Sequence, residues 1–139
     1  MADPLLESFQ LKHLHLKNRI ITTSHEPAYN DDGFPKDRYI AYHLERAKGG
    51  IAMTMTAGSA VVSKDSPPSF DNIHAYKDEV VPWIKKLTDT IHDQDCKIMI
   101  QLTHLGRRTS WSKGDWLPSI SSGKHREPAH KAFPKIAEN

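Results

Sequence analysis

Three short runs gather side chains that could do chemistry, and each closes a stretch of apolar or β-branched residues. Thr22-Thr23-Ser24-His25-Glu26 brings hydroxyls, an imidazole and a carboxylate together. Thr56-Ala57-Gly58-Ser59 places a glycine between hydroxyls, and Gly58, lacking a Cβ, would let a ligand approach the backbone closely. Gln101-Leu102-Thr103-His104 joins a carboxamide to an imidazole. The Gln101 amide is a donor and acceptor side by side, which suits the edge of a planar ring that alternates acceptors and donors. The phosphate-cradling patterns GxGxxG and the P-loop are not present. His13-Leu14-His15 imitates a two-histidine metal motif, but leucines flank it and it precedes the first strand that could carry a site, so no metal centre is expected.

These runs have to be positioned by regular elements, and periodicity supplies them. Phe9 to Leu16 alternates apolar and polar residues with a slip at Lys12 and His13, the pattern of a small hairpin or strand. Arg19 to Ser24 reads as a strand ending in a polar loop. Asp31-Asp32-Gly33 signals a turn, and Pro35 suits the first turn of a helix. That helix runs from Arg38 to Lys48, with Ile40, Leu44 and Ala47 on one face, and Gly49-Gly50 stops it. Ile51 to Thr56 is a second strand, apolar enough to be covered on both faces. A long polar loop marked by Pro67-Pro68 follows. A second helix spans Asp78 to His92, striped by Val80, Trp83, Ile84, Leu87 and Ile91, with Pro82 tolerated in its first turn. Lys97 to Thr103 is a third strand, and the stretch from Leu105 to Asn139 reads mainly as loop.

The order β-α-β-α-β implies parallel strands with right-handed crossovers. In a β/α barrel the C-terminal strand ends share one face, and that face holds the site. His25, Glu26, Gly58, Gln101 and His104 would then meet on one floor, where the pyrimidine edge of a flavin fits the Gln101 amide. Plainer readings stand beside this one. His25 and Glu26 also suit a solvated loop, Gln101 could satisfy backbone groups, and His104 is open between a structural and a site role. Arg107 and Arg108 read as loop anchors, Trp111 and Trp116 as packing, Lys124 to Lys135 as a solvated loop, and Cys96 as a small buried hydrophobe.

Composition narrows the class. Of 139 residues, 37% are hydrophobic and 26% charged, enough to bury a core in one domain. The net charge of +2 gives no reason to expect nucleic acid or a membrane surface as partner. No apolar run approaches the ~20 residues of a membrane span, and MADPLLESFQ lacks the features of a signal peptide. One cysteine excludes an internal disulfide, so a reducing cytoplasm is expected.

Two separated motifs carry a family resemblance that covers nearly the whole chain. Leu16-Lys17-Asn18-Arg19-Ile20 resembles the segment that opens the barrel in the old-yellow-enzyme (NADH:flavin oxidoreductase) family. Gln101-Leu102-Thr103-His104-Leu105-Gly106-Arg107 resembles that family's QLxHxGR segment. Within the family, His104 to Arg108, Gly114 to Pro118 and Arg126 to His130 are similar to the branch that oxidatively demethylates dimethylglycine and N-methylproline, to which trimethylamine dehydrogenase is related.

The resemblance implies an α/β fold, the N-terminal portion of a TIM (β/α)8 barrel with about three βα units. It implies that residues 1–139 are a partial FMN-binding domain, stopping before the barrel is complete. FMN would meet Thr23, Ser24, His25 and Glu26 after the first strand, Gly58 after the second, and Gln101 on the third. Glu26 stands where relatives often carry Cys or Thr, and where trimethylamine dehydrogenase has a cysteine that holds FMN covalently. Glutamate cannot form that bond, so non-covalent FMN is expected, with Glu26 also a candidate for binding a cationic amine substrate. The main catalytic residues, the flavin phosphate site, and any iron–sulfur cluster or second nucleotide would lie beyond Asn139. The implied activity is oxidative N-demethylation of a small molecule by hydride transfer to the flavin, in a form that could be homo-oligomeric when full-length. The alternatives are NAD(P)H-dependent reduction of an activated alkene or dienoyl thioester, and a non-catalytic fragment.

Overall fold

The computed structural model describes residues 3–56, 60–66, 70–106, 120–126 and 133–137. After a single 3-10 turn at Pro4–Leu6, β1 (Phe9–Leu11) and β2 (Leu14–Leu16) form an antiparallel hairpin, Phe9 opposite Leu16 and Leu11 opposite Leu14. The slip in alternation is its turn, where Lys12 takes a left-handed φ of 52°.

The expected β-α-β-α-β order is present. The segment around Ile21 lies parallel to β3 (Met53–Met55), with Ala52 N–H donating to Ile20 and Thr22 N–H donating to Met53. It amounts to a bridge at Ile21 rather than the full strand expected from Arg19 to Ser24. Beyond Thr22 the backbone turns into the loop that carries the polar residues. Helix α1 (Asp37–Lys48) follows, beginning one residue earlier than the sequence suggests, with Pro35 buried just before it. Gly49 remains right-handed with φ −67°; the left-handed residue that ends the helix is Gly50, with φ 91°.

Several expectations need correction. The loop after β3 contains two short strands, β4 (Ala60–Val61) and β5 (Ile73–His74), which pair in parallel. The second helix divides into a 3-10 turn at Asp78–Val80 and α2 (Val81–His92), because Pro82 cannot donate to the ladder at that point. The third strand also divides. β6 (Lys97–Met99) pairs with β3, whereas β7 (Leu102–Thr103) pairs with β4. Between them Thr56 N–H donates to the Met99 carbonyl and Ala60 N–H to the Gln101 carbonyl, so the pairing passes from β3 to β4 across the break. Further on, β8 (Ile120–Ser121) and β9 (Lys135–Ile136) form a parallel pair in a stretch read as loop.

Strand alternation separates two faces. Thr54, Ile98 and Ile100 turn toward the helices. Thr54 meets His43 of α1, and Ile98 and Ile100 line a small apolar gap of about 120 Å³ with Ile84 and Leu87 of α2. That side is the core, built from Tyr39, Ile40, Ala47, Ala60, Ile73, Val80, Leu87, Ile91 and Cys96. Met53, on the other face, is sealed by Leu16 of the hairpin. Ile21 and Met99 share its parity and are open, at 45% and 42% exposure. Lys86 Nζ, 2.7 Å from Asp37 Oδ1, links the two helices.

Candidate functional site

The two motifs do different jobs. Leu16 to Ile20 lies at the start of the first strand segment, away from the polar strand ends. Leu16 is buried under the sheet. Lys17 Nζ donates to the Gln94 carbonyl just after α2, at 2.8 Å. Asn18 Nδ2 donates to the Gly50 carbonyl just after α1, at 2.7 Å, while its Oδ1 accepts from Ile20 N–H. Arg19 pairs with Glu7 at 3.2 Å. Leu16-Lys17-Asn18-Arg19-Ile20 therefore staples the entering strand to the ends of both helices. This is the stability end of a β/α unit, where backbone carbonyls released by helix termini need partners.

The opposite end holds the candidate site. Thr23 and His25 are exposed and line a cleft of about 370 Å³ with Ile21, Thr22, Met55 and, from α1, Tyr42, His43 and Arg46. The α1 residues were not singled out from sequence. The available signal was His43 itself, a polar side chain three residues after Ile40 and four before Ala47 on the buried stripe. It is 1% exposed and lies 2.8 Å from the Thr54 hydroxyl, which also receives the Thr22 hydroxyl at 2.9 Å. Burial, with the nearby Arg46 charge, pushes His43 down to about 4, so it is neutral at physiological pH. Its Nε2 has no hydrogen-bond partner among the described residues. The Arg46 guanidinium carbon lies over the Tyr42 ring, 3.4 Å from its centre, and Arg46 donates to the Tyr42 carbonyl.

Gln101 lies at the same end on the third strand, outside that cleft. Its N–H donates to the buried Thr56 hydroxyl at 3.1 Å, and its carbonyl accepts from Ala60 N–H at 2.9 Å. The backbone is thus held from both sides while the side chain is exposed, with no partner for its carboxamide among the described residues. By alternation from Met99 it faces away from the helices. Such an amide is available to the edge of a heterocycle.

Glu26 behaves differently from its neighbours. Its carboxylate turns back into the protein, accepting from Ala28 N–H at 2.9 Å and from Asn72 Nδ2 at 3.3 Å. Partial burial is the main influence on it and raises its carboxyl above the ordinary value, against the pull of those two hydrogen bonds. It does not line the cleft with Thr23 and His25; Ser24 is half-buried and does not line it either. His104 Nδ1 accepts from Gly106 N–H, so the proton sits on Nε2, which faces Asp65 at 3.2 Å. With Leu105 N–H on the Ser66 hydroxyl, these bonds tie the Gln101-to-Gly106 run to the loop after β4. Gly58, Pro67, Pro68, Arg107, Arg108, Trp111 and Trp116 lie outside the described residues. His13 and His15 sit on the hairpin, exposed and apart from the strand ends. Cys96 is fully buried in the core, and burial pushes its thiol up.

Comparison with known proteins decides the family. The family model described as NADH:flavin oxidoreductase / NADH oxidase matches residues 4–129. The chain belongs to this family. Among curated relatives it is 66% identical over 99% of its length to a "Probable N-methylproline demethylase" of Rhizobium meliloti. It is 47% identical over 96% to a "Multifunctional alkene reductase/demethylase OYE" of Caballeronia cordobensis. It is 36% identical over 98% to an "N,N-dimethylglycine/sarcosine dehydrogenase" of Chromohalobacter salexigens. The chain spans 20% of the length of each. Among solved structures, a morphinone reductase matches 99% of the chain with a TM-score of 0.83 at 17% identity, the chain covering 41% of it. A 2-naphthoyl-CoA reductase matches 97% with a TM-score of 0.82 at 19% identity, the chain covering 22% of it. The fold is accordingly part of a TIM barrel of the old-yellow-enzyme type, as the two motifs imply, and the family is one of flavin-using oxidoreductases.

Proposed function

We propose that this chain supplies part of the FMN site of an enzyme that oxidatively removes an N-methyl group from a methylated amino acid of the N-methylproline kind. The observation that carries the reading is 66% identity along almost the whole chain to a probable N-methylproline demethylase. The exposed Gln101 carboxamide on a fixed backbone supports it, because this is what a flavin pyrimidine edge requires. Thr23, Ser24 and His25 would run along the ring, and Gly58 would allow close approach. Glu26 would hold a negative charge near a cationic amine. Bound non-covalently, FMN supplies a hydride acceptor. Once the ammonium has given up its N–H proton, the methyl carbon would pass a hydride to that acceptor, water would add to the resulting iminium carbon with loss of a second proton, and the carbinolamine would separate into formaldehyde and the demethylated amine.

Residues 1–139 act in this reading as one partial barrel domain, inactive alone, in a cytoplasmic enzyme with small-molecule substrates and neither nucleic acid nor membrane as partner. Among the described residues no helix is long and apolar enough to cross a membrane. An iron–sulfur cluster and a second nucleotide enter only with a longer polypeptide.

The test uses the full-length protein. N-methylproline should bleach the flavin anaerobically and release formaldehyde in equal amount. A flavin that stays oxidised under saturating N-methylproline, N-methylglycine and dimethylglycine removes the demethylase reading. A second reading, NAD(P)H-dependent alkene reduction, is favoured by the relative named both alkene reductase and demethylase. Turnover of an enone with NADPH, in the absence of amine oxidation, would select it.

A further inference from the structure

Two loops are laced together beside the strand ends, and the lacing involves a residue that neither motif contains. Asn72 Nδ2 donates to Glu26 Oε2 at 3.3 Å. Asn30 Nδ2 donates to the Asp71 carbonyl at 2.7 Å, and His74 N–H donates to the Gly33 carbonyl at 2.8 Å. Gly33 lies against the His74 ring so closely that a Cβ there would collide with it. Residues 26–33 and 71–74 thus form a clasp with polar contacts along its length.

The backbone is strained on both sides of the Glu26–Asn72 contact. Ala28, whose N–H holds Glu26 Oε1, has φ 53°. Phe70 and Asp71, which lead into Asn72, have φ 59° and 51°. Side chains with a Cβ avoid that region, and it persists only where the surroundings impose it. Asn72 is 1% exposed, so its amide is fixed in place. The carboxylate it meets is half-buried, and burial raises it, so an amide donor there opposes a real cost of desolvation.

We propose that Asn72 is a positioning residue of the site: it holds the Glu26 carboxylate, and through it the loop that carries Thr23, Ser24 and His25. The inference rests on the reading of those residues as the flavin segment. Asn72 acts through Glu26 and needs no contact with substrate or cofactor.

The decisive experiment is a swap in the full-length protein at pH 8. Asn72→Asp keeps shape but faces one carboxylate with another. Glu26→Gln combined with Asn72→Asp restores a donor–acceptor pair with roles exchanged, since the new glutamine amide can donate to the new aspartate and its carbonyl can still accept from Ala28. Two quantities are measured: amide hydrogen exchange over residues 23–33, in protein stripped of flavin, and FMN affinity by fluorescence. Asn72→Asp should speed exchange over that stretch and weaken FMN binding, each roughly tenfold. The double variant should return both to within about threefold of the unmutated protein. Exchange and affinity left unchanged by Asn72→Asp, or a double variant no better than the single one, overturns the proposal. If Asn72→Asp fails to fold, Asn72→Ser replaces it, and unaltered exchange at Ala28 counts against the clasp. Failure of the functional reading has a separate signature, because it shows in the unmutated protein as absent flavin uptake or absent amine oxidation.

Discussion

The Thr54 hydroxyl stands 2.8 Å from His43 Nδ1, and this pair joins β3 to α1 inside the core. Burial, then Arg46, depresses His43 to about 4 from 6.5. The unfolded chain therefore binds more protons than the folded one between those values. Stability is fully present above about 6.5 and is lost as pH falls toward 4, by roughly 2 kcal/mol at pH 5 and roughly 3 kcal/mol below pH 4. His43→Phe removes this titration and leaves Thr54 its Thr22 partner. In the full-length protein it should be less stable by about 1 kcal/mol at pH 7 but more stable than the unmutated protein at pH 5. Urea midpoints at the two pH values that shift in parallel would refute this.

Glu26 has the opposite sign. Its carboxyl is raised, chiefly by burial, so the folded state holds the proton more tightly than the unfolded state. Its contribution is favourable at low pH and is lost as pH rises from 4.5 through the raised value. Glu26→Gln, which cannot ionise, should gain stability relative to the unmutated protein as pH climbs through that window. In the loaded enzyme the same change should raise the flavin potential and the KM for the amine, because it removes a negative charge where reduction adds electron density. Binding of an uncharged enone should change little. Potential and amine KM both at unmutated values would make Glu26 a loop residue only.

Gln101→Ala should weaken FMN binding in the full-length protein by about 1–3 kcal/mol, through loss of a partner to a buried polar edge. The strand should survive, because its bonds at this position run through the backbone to Thr56 and Ala60. Fluorescence titration measures the affinity, and an unaltered value takes Gln101 out of the site.

The sequence was most legible where periodicity is strong. Ile40, Leu44 and Ala47 mark α1, and Leu87 and Ile91 mark α2, because one apolar stripe must face the sheet. The breaks were hidden. Lys97 to Thr103 reads as one strand, yet β6 and β7 pair with different neighbours, and pairing partners distant in sequence leave no trace in local pattern. β4 and β5 are two residues each, too short for alternation to register. At the site, Thr23, His25 and Gln101 were visible as polar strand ends, and the structure leaves all three exposed. Asn72 was not visible, because one asparagine in a polar loop carries no signal until Glu26 is seen against it.

The face opposite the helices gives the last prediction. Ile21 and Met99 lie on it, 45% and 42% exposed, and the outer edge of β6 has no strand partner among the described residues. A parallel sheet is ordinarily covered on both faces, and an apolar face beside an unpaired edge is a template for association. The isolated 139-residue polypeptide should therefore associate as concentration rises and unfold over a broad temperature range rather than in one sharp step. Met99→Lys places a charge in the middle of that face without touching the helix side, and should shift sedimentation toward monomer at unchanged helical content. A monodisperse, sharply unfolding monomer of the unmutated polypeptide would show that Ile21, Met99 and the β6 edge need no cover.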